Sequence, residues 1–223
     1  MPFDGDIFDI MGPVMIGPSS SHTAGAVRLG RMALLLFGEK PKSVRFYLHG
    51  SFYMTMAGHG TDLALVAGLL GLRQDDPRIR SAFTLAEKAG LQYCFEPFDA
   101  DGAHPNTVRM ELAGENGKTL AVQGSSVGGG NILVTMIDDF SVEFSGAYPA
   151  LIVFNRDKPG IVAETTRLVA AHSVNIAFMR VTRLENDRAC TIIECDGAIK
   201  PEIVQAIASL NGVVTARLVE RLD

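Results

Sequence analysis

The last third of the chain carries the pattern that most restricts its fold. Segments with strand-like alternation and segments with helical periodicity follow one another there in the order strand, helix, strand, strand, helix, strand. The predicted ranges are 148–155, 160–172, 174–183, 188–195, 200–210 and 213–219. This β-α-β-β-α-β order is that of the ferredoxin-like folds. We therefore predict a small domain over residues 147–223, which begins after a change of pattern near Ser145.

Residues 1–146 predict a larger domain of mixed α/β class. Helices are predicted at 21–37, 61–72 and 77–89, and strands at 43–49, 91–97, 107–112, 119–123 and 132–136. The last three strands are separated by glycine-containing turns, which favours antiparallel pairing. The predicted fold class of the chain is therefore α/β (α+β), a mixed domain followed by a ferredoxin-like one.

The composition of the chain excludes several classes of partner. It has 223 residues, of which 47% are hydrophobic and 20% charged, and its formal net charge is −5. It contains no run of Lys or Arg that would bind nucleic acid or an anionic membrane. The longest apolar run, Leu63 to Leu72, is shorter than a bilayer span, and residues 1–6 are acidic rather than a basic leader. We expect a cytoplasmic protein that binds neither nucleic acid nor membrane.

The three cysteines, Cys94, Cys190 and Cys195, match neither a disulfide framework nor a metal site. Cys190 and Cys195 lie in one predicted strand at an odd spacing, which directs their side chains to opposite faces. We therefore predict that this chain contains no metal site and that it does not hold an iron–sulfur cluster alone.

Two segments each place a histidine among glycines and hydroxyl groups at a predicted helix start. The first is Gly17–Gly25, with His22 next to three serines, and the second is Gly58–Asp62, with His59 between two glycines. Backbone N–H groups at a helix start hold anions, and an imidazole moves a proton. Together the segments predict chemistry on a small carboxylate. The alternatives are that one serine only caps the helix and that His59 is a solvated loop residue.

Three further segments are weaker candidates. The segments at 104–107 and 125–131 lack the strand–loop–helix context of a nucleotide loop, so hairpin turns are the simpler interpretation. In the second domain, residues 155–160 run from a strand into a helix, and Asn175 begins the next strand. Their N–H, Asn and Asp groups would bind the ammonium and carboxylate of an amino acid, although a turn with Pro at the first helical position needs no ligand.

The motifs GPSSSHTAG, GHGTD, HPNT and SVGGG, in this order, resemble the β subunit of the bacterial iron–sulfur-dependent L-serine dehydratases of the two-chain type. The motifs RDKPGIV and VNIAFM, within residues 149–223, resemble an ACT domain, a small regulatory fold that often binds amino acids. For the first domain the resemblance implies the allosteric-substrate-binding fold found in some phosphoglycerate dehydrogenases.

The resemblance also implies an activity and its partners. The activity is deamination of L-serine to pyruvate and ammonia without pyridoxal phosphate. It uses a 4Fe-4S cluster that is ligated by cysteines of a partner α subunit. The resemblance further implies an amino-acid effector and homodimerisation through the ACT domain.

Residue roles follow from the same resemblance. His59 is the preferred base at Cα, and His22 is the second candidate, either for proton transfer or for positioning the substrate. The three serines before His22 are expected to hold the substrate carboxylate. The residues expected to bind substrate are Ser19, Ser20, Ser21, Thr23, Gly60, Thr61, His104 and Asn106. The residues expected to bind an effector, at one strand–helix junction of the ACT domain, are Asn155, Asp157, Gly160 and Asn175.

Two other functions compete with this one. In the first, both domains form a non-catalytic amino-acid sensor, which needs hydrogen-bond donors and a counter-charge but no base beside the serines. In the second, the chain is a pyridoxal-dependent dehydratase. The second is disfavoured because no lysine lies in or beside the four motifs of the first domain to form a Schiff base.

Overall fold

The computed structural model describes residues 14–222 and divides into two compact units, with the boundary between Asp138 and Asp139. The acidic segment at residues 1–6 therefore lies outside the described residues. No helix within residues 14–222 is long and apolar enough to cross a membrane.

The first unit combines short helices with a five-strand part of a sheet. A π-helical turn, Ser20–Gly25, precedes the first helix, and a 3-10 helix, Pro77–Ser81, precedes the last. The helices are α1 (Ala26–Phe37), α2 (Ser51–Met54), α3 (Met56–His59), α4 (Thr61–Leu69) and α5 (Ala82–Ala89). The strands are β1 (Ser43–Leu48), β2 (Gln92–Pro97), β3 (Thr107–Ala113), β4 (Thr119–Gly128) and β5 (Asn131–Ile137).

The strands of the first unit lie in the order β2-β1-β3-β4-β5. β1 runs parallel to β2, and the pairs β1–β3, β3–β4 and β4–β5 are antiparallel. Val44, Phe46 and Leu48 are buried at alternate positions of β1, as expected for a strand with one face against a core. α1 packs on β4 and β5, and α4 packs on α1.

α1 and α4 approach each other at two glycines. A Cβ atom on Gly30 would lie 2.4 Å from the carbonyl oxygen of Leu65, and one on Gly68 would lie 2.1 Å from that of Val27. Side chains at these two positions would force the helices apart. The close approach fixes the segments that precede α1 and α4, which carry the two histidine motifs.

The second unit contains the predicted β-α-β-β-α-β order, preceded by one more strand. Its elements are β6 (Phe140–Phe144), β7 (Ala150–Arg156), α6 (Ile161–Ala171), β8 (Ile176–Leu184), β9 (Arg188–Cys195), α7 (Pro201–Ala208) and β10 (Val213–Val219). Four strands form an antiparallel sheet in the order β10-β7-β9-β8. Leu151, Val153 and Ile193 of this sheet share a buried cluster with Val169 of α6 and Ile203 of α7. The fold class predicted from the sequence is confirmed.

Several predicted element boundaries differ from the structure. The predicted loop before His59 contains α2 and α3, and the predicted helix 77–89 begins as a 3-10 helix. β4 continues to Gly128, so Ser125 and Ser126 belong to a strand and are buried rather than part of a turn. Thr107 explains this extension, because its hydroxyl lies 2.7 Å from that of Ser125 across the β3–β4 pair.

β6 was absent from the sequence prediction. It packs against β8 and β9, and the Thr182 hydroxyl of β8 donates a hydrogen bond to the carbonyl of Ser141. The centroid of the Phe140 ring lies 5.4 Å from that of Phe154 on β7. These contacts assign residues 139–146 to the second compact unit. The division into domains at residues 146 and 147 remains a prediction.

Candidate active site

His22 is held in a fixed orientation inside the first unit. It lies in the π-helical turn before α1, a rare backbone form that is frequent at functional sites. The Ser19 hydroxyl caps this turn by accepting a hydrogen bond from the His22 backbone N–H at 3.1 Å. The side chain is 8% exposed, and its Nε2 atom lies 2.9 Å from the hydroxyl of Ser51. The Phe52 ring packs edge-on against the imidazole at 5.3 Å.

The second histidine lies directly beside the first. The centroids of the His22 and His59 rings are 4.8 Å apart and the ring planes are almost perpendicular. The Thr23 hydroxyl donates a hydrogen bond to the His59 backbone carbonyl at 3.3 Å, which joins the two motifs. The Nδ1 atom of His59 is buried and has no hydrogen-bond partner among residues 14–222. The His22 ring is thus held by its neighbours, whereas the His59 ring has a nitrogen without a hydrogen-bond partner among the described residues.

The environment of His22 favours its neutral form. Burial lowers the pKa of His22 below its ordinary value, and the nearby His59 lowers it further, whereas a hydrogen bond with the Ser51 backbone raises it. Two adjacent imidazolium ions would repel each other. The lowered pKa of His22 favours its neutral form, which adds no positive charge next to the His59 ring.

A pocket of about 440 Å³ opens beside His59 rather than beside His22. The residues that line it are Ile16, Gly17, Pro18, Thr23, Gly58, His59, Gly60, Leu63, Ile79 and Arg80. Its volume suits a small ligand. A larger cavity of about 670 Å³ runs along β1 to β4 and contains none of the predicted site residues. His59, a side chain suited to proton transfer, lines the smaller pocket.

Each of the three glycines that line this pocket lacks a side chain for a different structural reason. Gly60 has a φ of +67° between α3 and α4, a conformation that other residues adopt at a cost. At Gly17 a Cβ atom would lie 2.5 Å from the Thr23 side chain. At Gly58 a Cβ atom would meet nothing within 4 Å, so the absence of a side chain there widens the pocket instead of relieving a clash.

The structure brings only some predicted substrate-binding residues to this pocket. Thr23, His59 and Gly60 line it. Ser19 acts as the cap, and Ser20 and Ser21 are half-buried in the turn beside it. Thr61, the residue after Gly60, is fully buried, and within the described chain its hydroxyl has no hydrogen-bond partner.

His104 and Asn106 support the site from outside it. The His104 ring is exposed, and its Nδ1 accepts a hydrogen bond from the Asn106 backbone N–H at 3.1 Å. Between them, the Pro105 carbonyl accepts a hydrogen bond from the backbone N–H of Phe52, the residue whose ring packs on His22. Asn106 is also bonded to the backbone of Ser126. These contacts give the motif a scaffold role, and its predicted role in substrate binding stays a prediction.

Two residues of the site were missed by the sequence analysis, Ser51 and Arg80. Ser51 follows Gly50 at the start of α2 and contacts His22 across 29 positions of sequence. Arg80 follows the buried Ile79 in the 3-10 helix and lines the pocket. Neither residue stands in a motif, so only the tertiary contacts identify them.

The four candidate effector residues of the second unit do not converge in one chain, contrary to the prediction. Asn155 and Asp157 lie at the end of β7 near Gly160, and Asp157 accepts a hydrogen bond from Arg183 at the end of β8. Asn175 precedes the start of β8 and donates a hydrogen bond to Asp196. β7 and β8 both pair antiparallel with β9 and so run in the same direction. Asn175 therefore lies at the opposite end, on the order of 25 Å away along the sheet.

The cysteines of this chain do not fit an iron–sulfur cluster. Cys94 is exposed on β2, whereas Cys190 and Cys195 are buried on β9 in the other unit. Cys195 belongs to the core that faces the helices, and the odd spacing places Cys190 on the other face of the strand. Within residues 14–222 no group of three or more His, Cys, Asp or Glu side chains is arranged to hold a metal ion.

Comparisons with known proteins identify relatives of nearly the same length. The serine dehydratase beta chain family matches residues 6–90, and the ACT domain family matches residues 150–212. The probable L-serine dehydratase beta chain of Bacillus subtilis (strain 168) is 41% identical over 209 residues, which are 93% of this chain and 94% of that protein. The L-serine dehydratase beta chain of Peptoniphilus asaccharolyticus is 36% identical over 219 residues, 97% of this chain and 99% of that one.

A more distant relative also matches. A D-3-phosphoglycerate dehydrogenase of Archaeoglobus fulgidus is 24% identical over 203 residues, which are 87% of this chain and 37% of that enzyme. The two beta chains match both the length and the sequence of this chain. The resemblance noted from its motifs is confirmed, and the chain belongs to the L-serine dehydratase beta chain family.

Proposed function

We propose that this chain is the β subunit of an iron–sulfur L-serine dehydratase, which deaminates L-serine to pyruvate and ammonia together with a cluster-bearing α subunit. The observation that carries the proposal is the pair of imidazoles 4.8 Å apart, of which His59 lines a small pocket. A sensor that only binds an amino acid needs hydrogen-bond donors but no such base. Membership in the beta chain family supports the same reaction.

The reaction needs a base because the Cα proton of serine is only weakly acidic. His59 takes that proton, and the β-hydroxyl leaves with the bonding electrons of its carbon–oxygen bond. Loss of the proton and the hydroxyl removes the elements of water and leaves an enamine. The enamine becomes an imine, which water hydrolyses to pyruvate and ammonia, so the water lost is regained. The lowered pKa of His22 favours its uncharged form, in which it adds no positive charge that would oppose this proton transfer.

The residues of this chain do not fit a cluster, so we assign the cluster ligands to the α subunit. The surface beside the site supports a partner chain, because Tyr53 and Met54 of α2 are 43% and 78% exposed although both are large and apolar. They lie two and three positions after Ser51, whose hydroxyl contacts the His22 ring. The described residues that line the pocket include no lysine that would form a Schiff base, which supports a reaction without pyridoxal phosphate.

Production of the chain with and without the α subunit tests this proposal. Purified alone under anaerobic conditions, the chain is expected to lack the visible absorption of a cluster and to form no pyruvate from L-serine. Purified with the α subunit, the complex is expected to form pyruvate. Turnover by the isolated chain with stoichiometric iron and sulfide contradicts the division of roles. A complex that binds amino acids without turnover supports the sensor instead.

We also propose that the second unit binds an amino-acid effector near Asn155, Asp157 and Gly160, and that it pairs with a second copy. The ACT family match supports both roles. The unpartnered buried Oδ1 of Asn155 supports the location. Calorimetry of the full chain with a panel of amino acids, L-serine first, tests the first role. Asp157→Ala is expected to weaken binding, whereas Asn175→Ala at the other end of the sheet is expected to leave it unchanged. The mass of the full chain in solution tests pairing.

A further inference from the structure

Arg80 carries a positive charge on the wall of the His59 pocket. It follows the 3-10 helix residue Ile79, which is 3% exposed and also lines the pocket. Asp76 caps this helix by accepting the backbone N–H of Arg78, and Pro77 occupies its first position. The helix is therefore anchored at its cap and at Ile79. This anchoring holds the backbone of Arg80 at the pocket.

The neighbouring Arg73 and Arg78 form ion pairs with aspartates, whereas Arg80 forms none with the described residues. The Arg78 guanidinium donates hydrogen bonds to both carboxylate oxygens of Asp76 and lowers the pKa of Asp76 to about 2. Arg73 pairs with Asp75 at 3.5 Å. Across residues 14–222 no carboxylate lies within ion-pair distance of Arg80, and none of the residues that line the pocket is acidic. Arg80 is thus an exposed cation on the pocket wall, and it has no counter-charge among the residues that the structure describes.

We propose that Arg80 binds the carboxylate of the amino-acid substrate in the His59 pocket, an assignment that rests on the proposed function of this site. The planar guanidinium donates two parallel hydrogen bonds to a carboxylate, which fixes the orientation of that group as well as its position. The carboxylate carbon is bonded directly to Cα. Anchoring it at Arg80 therefore places the Cα proton inside the pocket that His59 lines. Among the described residues that line the pocket, no acidic side chain would compete for the guanidinium.

A pair of ligands that differ only in charge tests this assignment. L-alanine has no hydroxyl to eliminate, and L-alaninamide replaces its carboxylate by a neutral amide. Both are titrated calorimetrically under anaerobic conditions into the complex with the α subunit, using the wild type, Arg80→Met, Arg80→Lys and Arg78→Met. The last variant removes the same charge from the same short helix, at a side chain that Asp76 already holds.

Arg80→Met is expected to weaken binding of L-alanine about tenfold to a hundredfold, the usual scale for a hydrogen-bonded charge, and binding of L-alaninamide less than threefold. Arg80→Lys restores part of the loss because it keeps the charge without the planar fork. Arg78→Met binds both ligands like the wild type. In turnover of L-serine, Arg80→Met raises KM more than it lowers kcat.

Several outcomes overturn the assignment. They are an equal loss of affinity for both ligands in Arg80→Met, no loss for either, or a wild-type complex that does not prefer the carboxylate. Its failure is distinguishable from that of the proposed function. A complex that shows the Arg80-dependent preference for L-alanine but does not convert L-serine retains the carboxylate site and refutes the dehydratase.

Discussion

The two units use similar elements but distribute their polar groups differently. In the first unit, residues from the turn before α1, from α2 and from α3 meet around the paired imidazoles. In the second unit, the candidate effector residues lie at both ends of the sheet, and Asp157 and Asn175 each bond to a side chain of the same unit. The first unit thus brings polar groups from several segments to one place, whereas the second unit keeps its candidate effector residues apart.

The largest expected effect concerns His59. His59→Ala should lower turnover of L-serine by the complex about a hundredfold or more, because the Cα proton loses its base. Assembly and cluster content should not change. The matched control is His172→Ala in the second unit, an exposed ring at the end of α6, which should keep wild-type turnover. Wild-type turnover by the His59 variant would move the base elsewhere, first to His22 and then to His104.

The next effect contrasts the packing of the two units. Gly68→Ala should lower the free energy of unfolding by about 3 kcal/mol or more, because its Cβ would lie 2.1 Å from a backbone oxygen of α1, which cannot rotate away. Gly197→Ala in the second unit meets nothing within 4 Å and should change it by less than about 0.5 kcal/mol. Urea unfolding of the full chain measures both. Equal midpoints for the two variants would contradict the close helix contact.

The sequence predicted those site residues that stand in local motifs and missed those that act through tertiary contacts. His22 and His59 were identified because their glycine and hydroxyl neighbours form local motifs, and the structure places the two rings together. Ser51 and Arg80 were missed because each acts through contacts that no local pattern records. Asn175 was misplaced for a related reason. Sequence order puts it close to residues 155–160, but the direction of β8 carries it to the far end of the sheet.

The predicted helices and strands were also correct where the signal is local and incomplete where it depends on tertiary contacts. The second unit was predicted well because each strand and helix carries its own periodicity. β6 was missed although Phe140, Val142 and Phe144 alternate with polar residues, since its place in the second unit depends on contacts with β8 and β9. α2 and α3 are only one turn each, too short for a hydrophobic period to appear.

A smaller effect tests how His22 is held. Ser51→Ala should lower kcat about tenfold with little change in KM, the scale of one hydrogen bond that orients a neighbour of the base. Ser51→Thr keeps the hydroxyl and should recover most of the loss, which a purely structural role would not require. Ser209→Ala is the control, because that hydroxyl only bonds to a carbonyl in α7. A loss in Ser51→Thr as large as in Ser51→Ala would argue against orientation by the hydroxyl.

The smallest expected effect is a difference in how the stability of each unit depends on pH, because the buried titratable groups of the two units act with opposite signs. Burial lowers the pKa of His22, so its contribution to stability is complete above the ordinary value of 6.5 and is lost as the pH falls through its folded value. Burial raises the pKa of Glu194 in β9, although a backbone hydrogen bond from Ser145 opposes this. Its contribution is complete below the ordinary value of 4.5 and is lost as the pH rises through its folded value.

Glu194→Gln should therefore raise the thermal midpoint of the full chain at pH 8, where the wild type has to keep a buried charge, and should have a smaller effect near pH 4.5. Glu185→Gln, at an exposed position of the turn between β8 and β9, removes the same charge and should show no such dependence. Scanning calorimetry of both variants across this range makes the measurement. A gain from Glu194→Gln that grows as the pH falls would mean that the carboxylate is stabilised in the folded state, and the contrast in sign between the two units would be lost.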